Sequence, residues 1–422
     1  MTRIGAHLDE SRLGFDVIVG NPPFLNQVEN ATTVEKGLAA VARLVTGGST
    51  VRYTDMSATF LLLARNLLRN LGRAALVQPQ SLLAAKAAGP VRAELLSDST
   101  LANIWVSNEH LFSASVFTCA PTIFRHGPRR FLVGRQHSAA FETLEPIDLV
   151  MDELANEITW AHLTAEASGI PVVDIVAGGT IGDIADTVAD FTEYYRLEGF
   201  IVDDADLPEC ADRHEFPPLV TTGLIDLAEC TWGTQATRIL KQKWQAPRVD
   251  RQRMYAEGTL GPWIDRRRVP KLILATQTKV IELYVDEPGT YIASIPLITV
   301  MPNDVGRIWH IAASLASPVM CALALRHFAG AALSAEAIKL SAKQTLVLPI
   351  PKDGPDWDNA AALLNEAHTL ADEDSRAKRL LDYARASISA FGVSAGQAAS
   401  LLDWWSDRFG AAADPEEVAD AE

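Results

Sequence analysis

Cysteine is scarce in this chain of 422 residues: Cys119, Cys210, Cys230 and Cys321 are the only four, and they lie far apart. That spacing offers no paired thiols for zinc or for a redox dithiol, so no metal is expected and a reduced, cytoplasmic setting fits best. Long apolar runs are missing too. The longest, residues 311–325, is too short and too rich in Ala and Ser to span a bilayer. No basic, apolar leader opens the sequence, and no membrane association is expected. Positive charge is in deficit, with 37 Lys and Arg against 53 Asp and Glu for a formal net charge of −16. Taken alone, that balance argues against a polyanionic partner. There is no internal repeat and no nuclease-like cluster of acids. What remains is an ordinary globular composition, 48% hydrophobic and 21% charged, long enough for two or three domains.

The charge is unevenly spread. Residues 142–215 hold nineteen acids against two bases, Arg196 and Arg213, whereas residues 238–279 hold eleven Lys or Arg against three acids. In the second stretch Arg238, Lys241, Lys243, Arg248, Arg251 and Arg253 are interleaved with Trp244 and Tyr255, and Arg266, Arg267 and Arg268 follow Trp263. A local excess of +8 inside an acidic protein suits a surface that faces phosphates. The bland alternative is a solvated basic face.

The most informative segment is residues 15–24, a β-branched apolar strand running into Asn21-Pro22-Pro23-Phe24. An exocyclic amine on a base is a poor nucleophile because its lone pair is delocalised into the ring. The Asn21 side-chain carbonyl and the Pro22 backbone carbonyl can accept both amine hydrogens and draw the nitrogen towards sp3. Pro22 and Pro23 fix φ and remove two donors, which keeps the carbonyls aimed outward. Phe24 offers a flat face for a base swung out of the stack. The same tetrapeptide also reads as a plain turn. Its place at the carboxyl end of a strand, where open α/β sheets bind ligands, favours the chemical reading.

Downstream, Asp55 opens a helix whose apolar stripe is expected to be Phe60, Ala64, Leu67, Leu68 and Leu71, stopped by Gly72. A buried strand at residues 73–79 and a helix near 84–96 follow, the rhythm of a doubly wound sheet. Ser57-Ala-Thr-Phe60, then Leu-Gly72-Arg, then Val77-Gln-Pro79-Gln-Ser81 come after the Asn-Pro-Pro-Phe motif in the order seen in one family. The chain resembles an N6-adenine-specific DNA methyltransferase, of the large single-chain restriction and phage-defence type. That resemblance implies S-adenosylmethionine as cofactor, with Phe60 against its adenine, and double-stranded DNA as partner. It implies an antiparallel hairpin over residues 104–127 carrying a second aromatic for the flipped base, first Phe124 and next Phe112.

The family's Gly-rich cofactor turn and the acid that follows it do not occur before the motif strand. Three explanations are open: a separate polypeptide supplies the cofactor-binding half, the gene product is truncated, or the order is permuted, with residues 175–183 as the only candidate. From about residue 145 short β-rich runs replace the earlier rhythm, resembling a target-recognition domain in Leu219-Val-Thr-Thr-Gly-Leu-Ile-Asp and Leu346-Val-Leu-Pro349-Ile-Pro351. The expected fold is α/β: a partial Rossmann-like methyltransferase sheet, an α+β recognition domain and a helical C-terminal segment. The expected divisions are residues 1–140, 141–355, 356–410 and an acidic, disordered tail at 411–422. The expected function is site-specific methylation of adenine N6 in DNA by Asn21, Pro22, Pro23 and Phe24. The nine cations named above would position the duplex through its backbone. The alternative is a non-catalytic DNA-recognition subunit or remnant that needs a partner. A weaker third option is methylation of RNA or of a protein glutamine.

Overall fold

The computed structural model describes residues 14–24, 40, 44, 46, 48, 55–107, 109, 111, 116–189, 195–328 and 337–410. Phe112 and the acidic tail lie outside them. The chain forms two compact units, Met1–Ile170 with Arg326–Ala335, and Pro171–Leu325 with Glu336–Glu422.

The first unit is built on β1 (Phe15–Gly20), α1 (Met56–Leu67), β2 (Leu68–Leu76), β3 (Gln78–Pro79), α2 (Ser81–Ala84), α3 (Gly89–Ser97), β4 (Ser99–Ser107), β5 (Thr118–Arg125), β6 (Arg130–His137), β7 (Glu142–Val150) and α4 (Met151–Asn156). The strands make one sheet in the order β1-β2-β5-β4-β6-β7, with β3 on β5. β1 runs parallel to β2, and β4 parallel to β6. β5 lies antiparallel between β2 and β4, and β7 antiparallel to β6. The sheet is therefore mixed, and the antiparallel β4–β5 pair occupies the place of the expected hairpin. A boundary at residue 140 would cut the β6–β7 hairpin, which closes between His137 and Glu142. The first unit runs on to Ile170.

Helix α1 differs from its expected pattern. Asp55 caps it, accepting the Ser57 N–H at 2.8 Å. The buried face carries Ala58, Leu61, Leu62, Ala64 and Arg65, while Phe60 and Leu67 are exposed. The stripe went wrong because Arg65, read as polar, is buried: it bonds Glu94 Oε1 at 2.8 Å and Ser97 Oγ at 3.1 Å, tying α1 to α3. Gly72 does not stop the helix, which ends at Leu67 and turns at once into β2. It sits where the β1–β2 register shifts, and a Cβ there would lie 2.6 Å from the Phe15 carbonyl oxygen. The single helix expected over 84–96 is instead α2, a 3-10 turn at Lys86–Ala88 and α3, broken ahead of Pro90. Leu61, Leu62, Leu95, Leu101, Ile104, Ile123, Met151 and Trp160 are buried in this unit's core. The returning segment closes it: the Thr159 hydroxyl donates to the His327 carbonyl.

The second unit holds a four-stranded sheet in which Lys271–Leu274 pairs with Leu283–Asp286 and with Ile298–Pro302, and the last pairs with Ala185–Val188, all antiparallel. Lys271 and Asp286, both fully buried, bond across it at 2.6 Å. Two helical segments follow, Val305–Leu315 and Pro318–Phe328, bent by 64°. Among the described residues no single helix is long and apolar enough to cross a membrane. Helices Pro355–Thr369, Glu373–Ala390 and Ala395–Gly410 form the C-terminal part. They belong to this unit: the Tyr383 hydroxyl donates to Ala313 O, and Trp357 Nε1 to His310 O, each at 2.9 Å.

Candidate functional site

Because β1, β2, β4 and β6 share one direction, their carboxyl ends lie along one edge of the sheet, with the start of β5. Asn21-Pro22-Pro23-Phe24 leaves β1 at that edge. Asn21 and Pro23 are exposed and Pro22 and Phe24 half-buried. The strand exit is fixed from behind by short links. The Val77 N–H donates to Gly20 O at 3.0 Å. Gln78 Nε2 then donates to Val77 O and to Ser57 O, each at 3.0 Å, which ties the end of β2 to the first turn of α1. Gln80 Nε2 donates to Ser107 O at 2.9 Å, bringing the end of β4 to the same place.

Three buried polar atoms cluster along this edge without a hydrogen-bond partner among the described residues: Ser57 Oγ, Gln78 Oε1 and Thr118 Oγ1. Gln78 pairs with Cys119 and Pro79 with Thr118, so the Gln78 and Thr118 side chains leave opposite faces of the ladder. A buried polar group in this state costs about 1–3 kcal/mol, and the same unit holds further ones on Arg92, Asp98, Arg125 and His162. Gln78 is the residue that reading the sequence passed over. Its only signal was a buried amide directly after an apolar strand.

Phe60 lies in the second turn of α1 with 41% of its surface exposed, on the helix whose first turn Gln78 holds. Phe124 is elsewhere. It pairs with Arg73 on β2, three residues before the Leu76 that neighbours Gly20. Along the strands it is therefore about 13 Å from Asn21, towards the opposite edge. It is buried, edge-on to Phe131 at 5.2 Å, with the Arg73 guanidinium 5.9 Å from its ring. The structure does not bring Phe124 to the motif. An aromatic on the far half of β5 packs in the core because the β4–β5 pairing, invisible to local sequence, fixes its register.

In the second unit the nine cations divide. Arg248 bonds Asp204 at 2.5 Å and Phe216 O at 2.7 Å, and lies 4.7 Å over the Trp232 ring. Arg251 bridges Asp265 at 2.7 Å and Glu215 at 2.6 Å. Its hydrogen bond to Asp265, then that to Glu215, raises its pKa, and the same contact holds the Asp265 carboxyl below its usual range. Arg253 pairs with Glu257 at 2.7 Å and bonds Gly199 O. Arg268 bonds His214 O at 3.1 Å, and Arg267 lies 5.9 Å from the Trp263 ring. Only Arg238, Lys241, Lys243 and Arg266 are both exposed and without an ion-pair partner among the described residues. Among those residues, too, no group of His, Cys, Asp and Glu could hold a metal ion.

Residues 5–112 match the family model of the Eco57I restriction-modification methylase. No curated protein matches the sequence. The solved structure of the Type IIL restriction-modification enzyme MmeI in complex with DNA is 13% identical, with a TM-score of 0.55, over 93% of this chain and 57% of that one. The type IIG restriction endonuclease BpuSI is 13% identical, with a TM-score of 0.36, over 96% of this chain and 55% of that one. The chain in the DrdV–DNA complex is 12% identical, with a TM-score of 0.43. The chain thus spans little more than half the length of the first two, and with MmeI it shares a fold. The matched residues 5–112 contain the Asn-Pro-Pro-Phe motif and the strand and helices behind it, so this part of the chain is similar to that methylase.

Proposed function

We propose that this chain methylates adenine N6 in double-stranded DNA within a restriction-modification or phage-defence system. The observation that carries the reading is the place of Asn21-Pro22-Pro23-Phe24, leaving β1 at the carboxyl edge of parallel strands with its exit pinned by Val77 and Gln78. The Asn21 side-chain carbonyl and the Pro22 backbone carbonyl accept the two hydrogens of the amine and move its lone pair out of conjugation. Half-buried Phe24 stacks the extruded base. No strong base is needed at the amine, because positioning does most of the work. S-adenosylmethionine supplies an activated methyl group. The residues present fit part of it: exposed Phe60 gives an aromatic wall, and unpartnered Ser57 Oγ and Gln78 Oε1 give polar contacts beside the first turn of α1. Phe124 is left out of the base pocket.

The second reading is a DNA-recognition subunit that needs a partner for the cofactor. It is favoured by β1 itself, the outermost strand of the sheet among the described residues, with Phe15, Val17 and Val19 exposed. A transfer assay with labelled S-adenosylmethionine and duplex DNA separates the two. The purified chain labels adenine N6 on the first reading and binds DNA without labelling it on the second. Asn21→Ala is expected to lower transfer roughly 100- to 1000-fold while DNA affinity stays within about twofold. Equal labelling by wild type and variant would reduce the motif to a turn.

A further inference from the structure

Strands Thr237–Ile239 and Gln242–Trp244 form a hairpin in the second unit, joined by the two residues Leu240 and Lys241. Its two faces are unlike. Ile239 is buried, and Leu240 and Trp244 pack against the same cluster as Phe200, Leu219 and Trp263. On the other face Arg238 and Lys243 stand directly opposite each other, both exposed. Like charges opposed across an antiparallel pair destabilise it, and no carboxylate among the described residues forms an ion pair with either. The tip is also unusual. Leu240 and Lys241 have φ of 50° and 66°, the left-handed region that two-residue hairpin turns normally fill with Asn and Gly. The strained tip presents a third unpaired cation on the same short element.

The contrast with the neighbours is informative. Arg248, Arg251 and Arg253, within fifteen residues, each engage a carboxylate. A chain with a net charge of −16 has acids to spare, yet leaves three cations unneutralised on one hairpin. We propose that this hairpin is the phosphate-gripping element of the recognition unit, with Arg238, Lys241 and Lys243 seated on the backbone of duplex DNA. Arg248, Arg251 and Arg253 hold the unit itself together. This rests on the DNA reading above and narrows it to three side chains. A dense polyanion suits them better than an acidic protein surface, because each phosphate they neutralise releases condensed counterions.

The test is the salt dependence of binding to duplex DNA, measured by fluorescence anisotropy between roughly 50 and 200 mM salt. Each phosphate contact adds about 0.9 to the slope of log affinity against log salt, so the triple variant R238Q/K241Q/K243Q should lose between about 2 and 3 from the slope. Its melting temperature should hold or rise, because the opposed charges are gone. Arg251→Gln should lower the melting temperature. Lys343→Gln, an exposed lysine elsewhere in the unit, should leave the slope unchanged. A triple variant with the wild-type slope overturns the hairpin assignment and leaves the DNA reading standing. A wild-type chain with no salt-dependent DNA binding overturns both.

Discussion

At the scale of single residues, the contrast between Asn21 and Arg92 separates chemistry from support. Asn21 is exposed and its replacement touches nothing in the core, so the loss expected of Asn21→Ala is confined to transfer. Arg92 is 1% exposed. Its guanidinium donates to Leu82 O at 2.8 Å, Ala85 O at 3.1 Å and Ile158 O at 2.6 Å, stitching the segment after β3 and the segment after α4 onto α3. Burial lowers its pKa to about 10, which still leaves it charged at neutral pH. Arg92→Met strands three carbonyls in the core and should destabilise the fold by about 3 kcal/mol, read from urea unfolding. A change under about 1 kcal/mol would show that the carbonyls find other donors. The tetrapeptide proposed as the site stands out in the sequence because its chemistry is local. The role of Arg92 does not, because the carbonyl at Ile158 comes from 66 residues away.

At the scale of elements, β1 and the cap of α1 could be read directly, whereas the buried face of α1 and the place of β5 could not. A helix face that includes Arg65 violates the apolar pattern, and only its partners on α3 explain the burial. The same lesson holds for the basic stretch, since Asp204 and Glu215, which neutralise Arg248 and Arg251, lie well upstream. The segment after α4 carries a further consequence for pH. His162 lies with its ring 6.0 Å from that of His327. Burial first, then the charges of His327 and Arg326, pull its pKa from 6.5 down to about 4, although Glu157 sits 3.2 Å from its Nε2. The native state therefore favours the neutral ring. Its contribution is intact above pH 6.5 and is lost as pH falls from 6.5 towards 4, about 3 kcal/mol in all. Melting temperatures across that range should fall for the wild type and fall less steeply for His162→Phe. Parallel curves would place the acid sensitivity elsewhere.

At the scale of the whole molecule, the open edge of the sheet matters most. Phe15, Val17 and Val19 are 58%, 62% and 74% exposed on its outermost strand among the described residues. Unpaired edges with apolar side chains seek another strand. Val17→Lys with Val19→Lys should keep the fold and reduce concentration-dependent self-association in sedimentation experiments. Association at the wild-type level would show that β1 is not the surface involved. The loss of rhythm near residue 145 falls inside the first unit, which runs on to Ile170. The discontinuity of the first unit could not be read from the sequence, because nothing local marks residues 326–335 as its members.

That discontinuity bears on how the protein is made and how it can be re-engineered. The first unit recruits Arg326–Ala335 only after Pro171–Leu325 has been synthesised, and the Thr159 hydroxyl has no His327 carbonyl to meet until then. On the ribosome the motif-bearing unit thus waits, unfinished, while most of the other unit emerges. For domain shuffling, the intervening span is an insertion rather than a tail. A hybrid joined at a single point after Ile170 would discard the last piece of the unit it meant to keep. Exchange of the second unit here calls for two junctions, one on each side of the insertion.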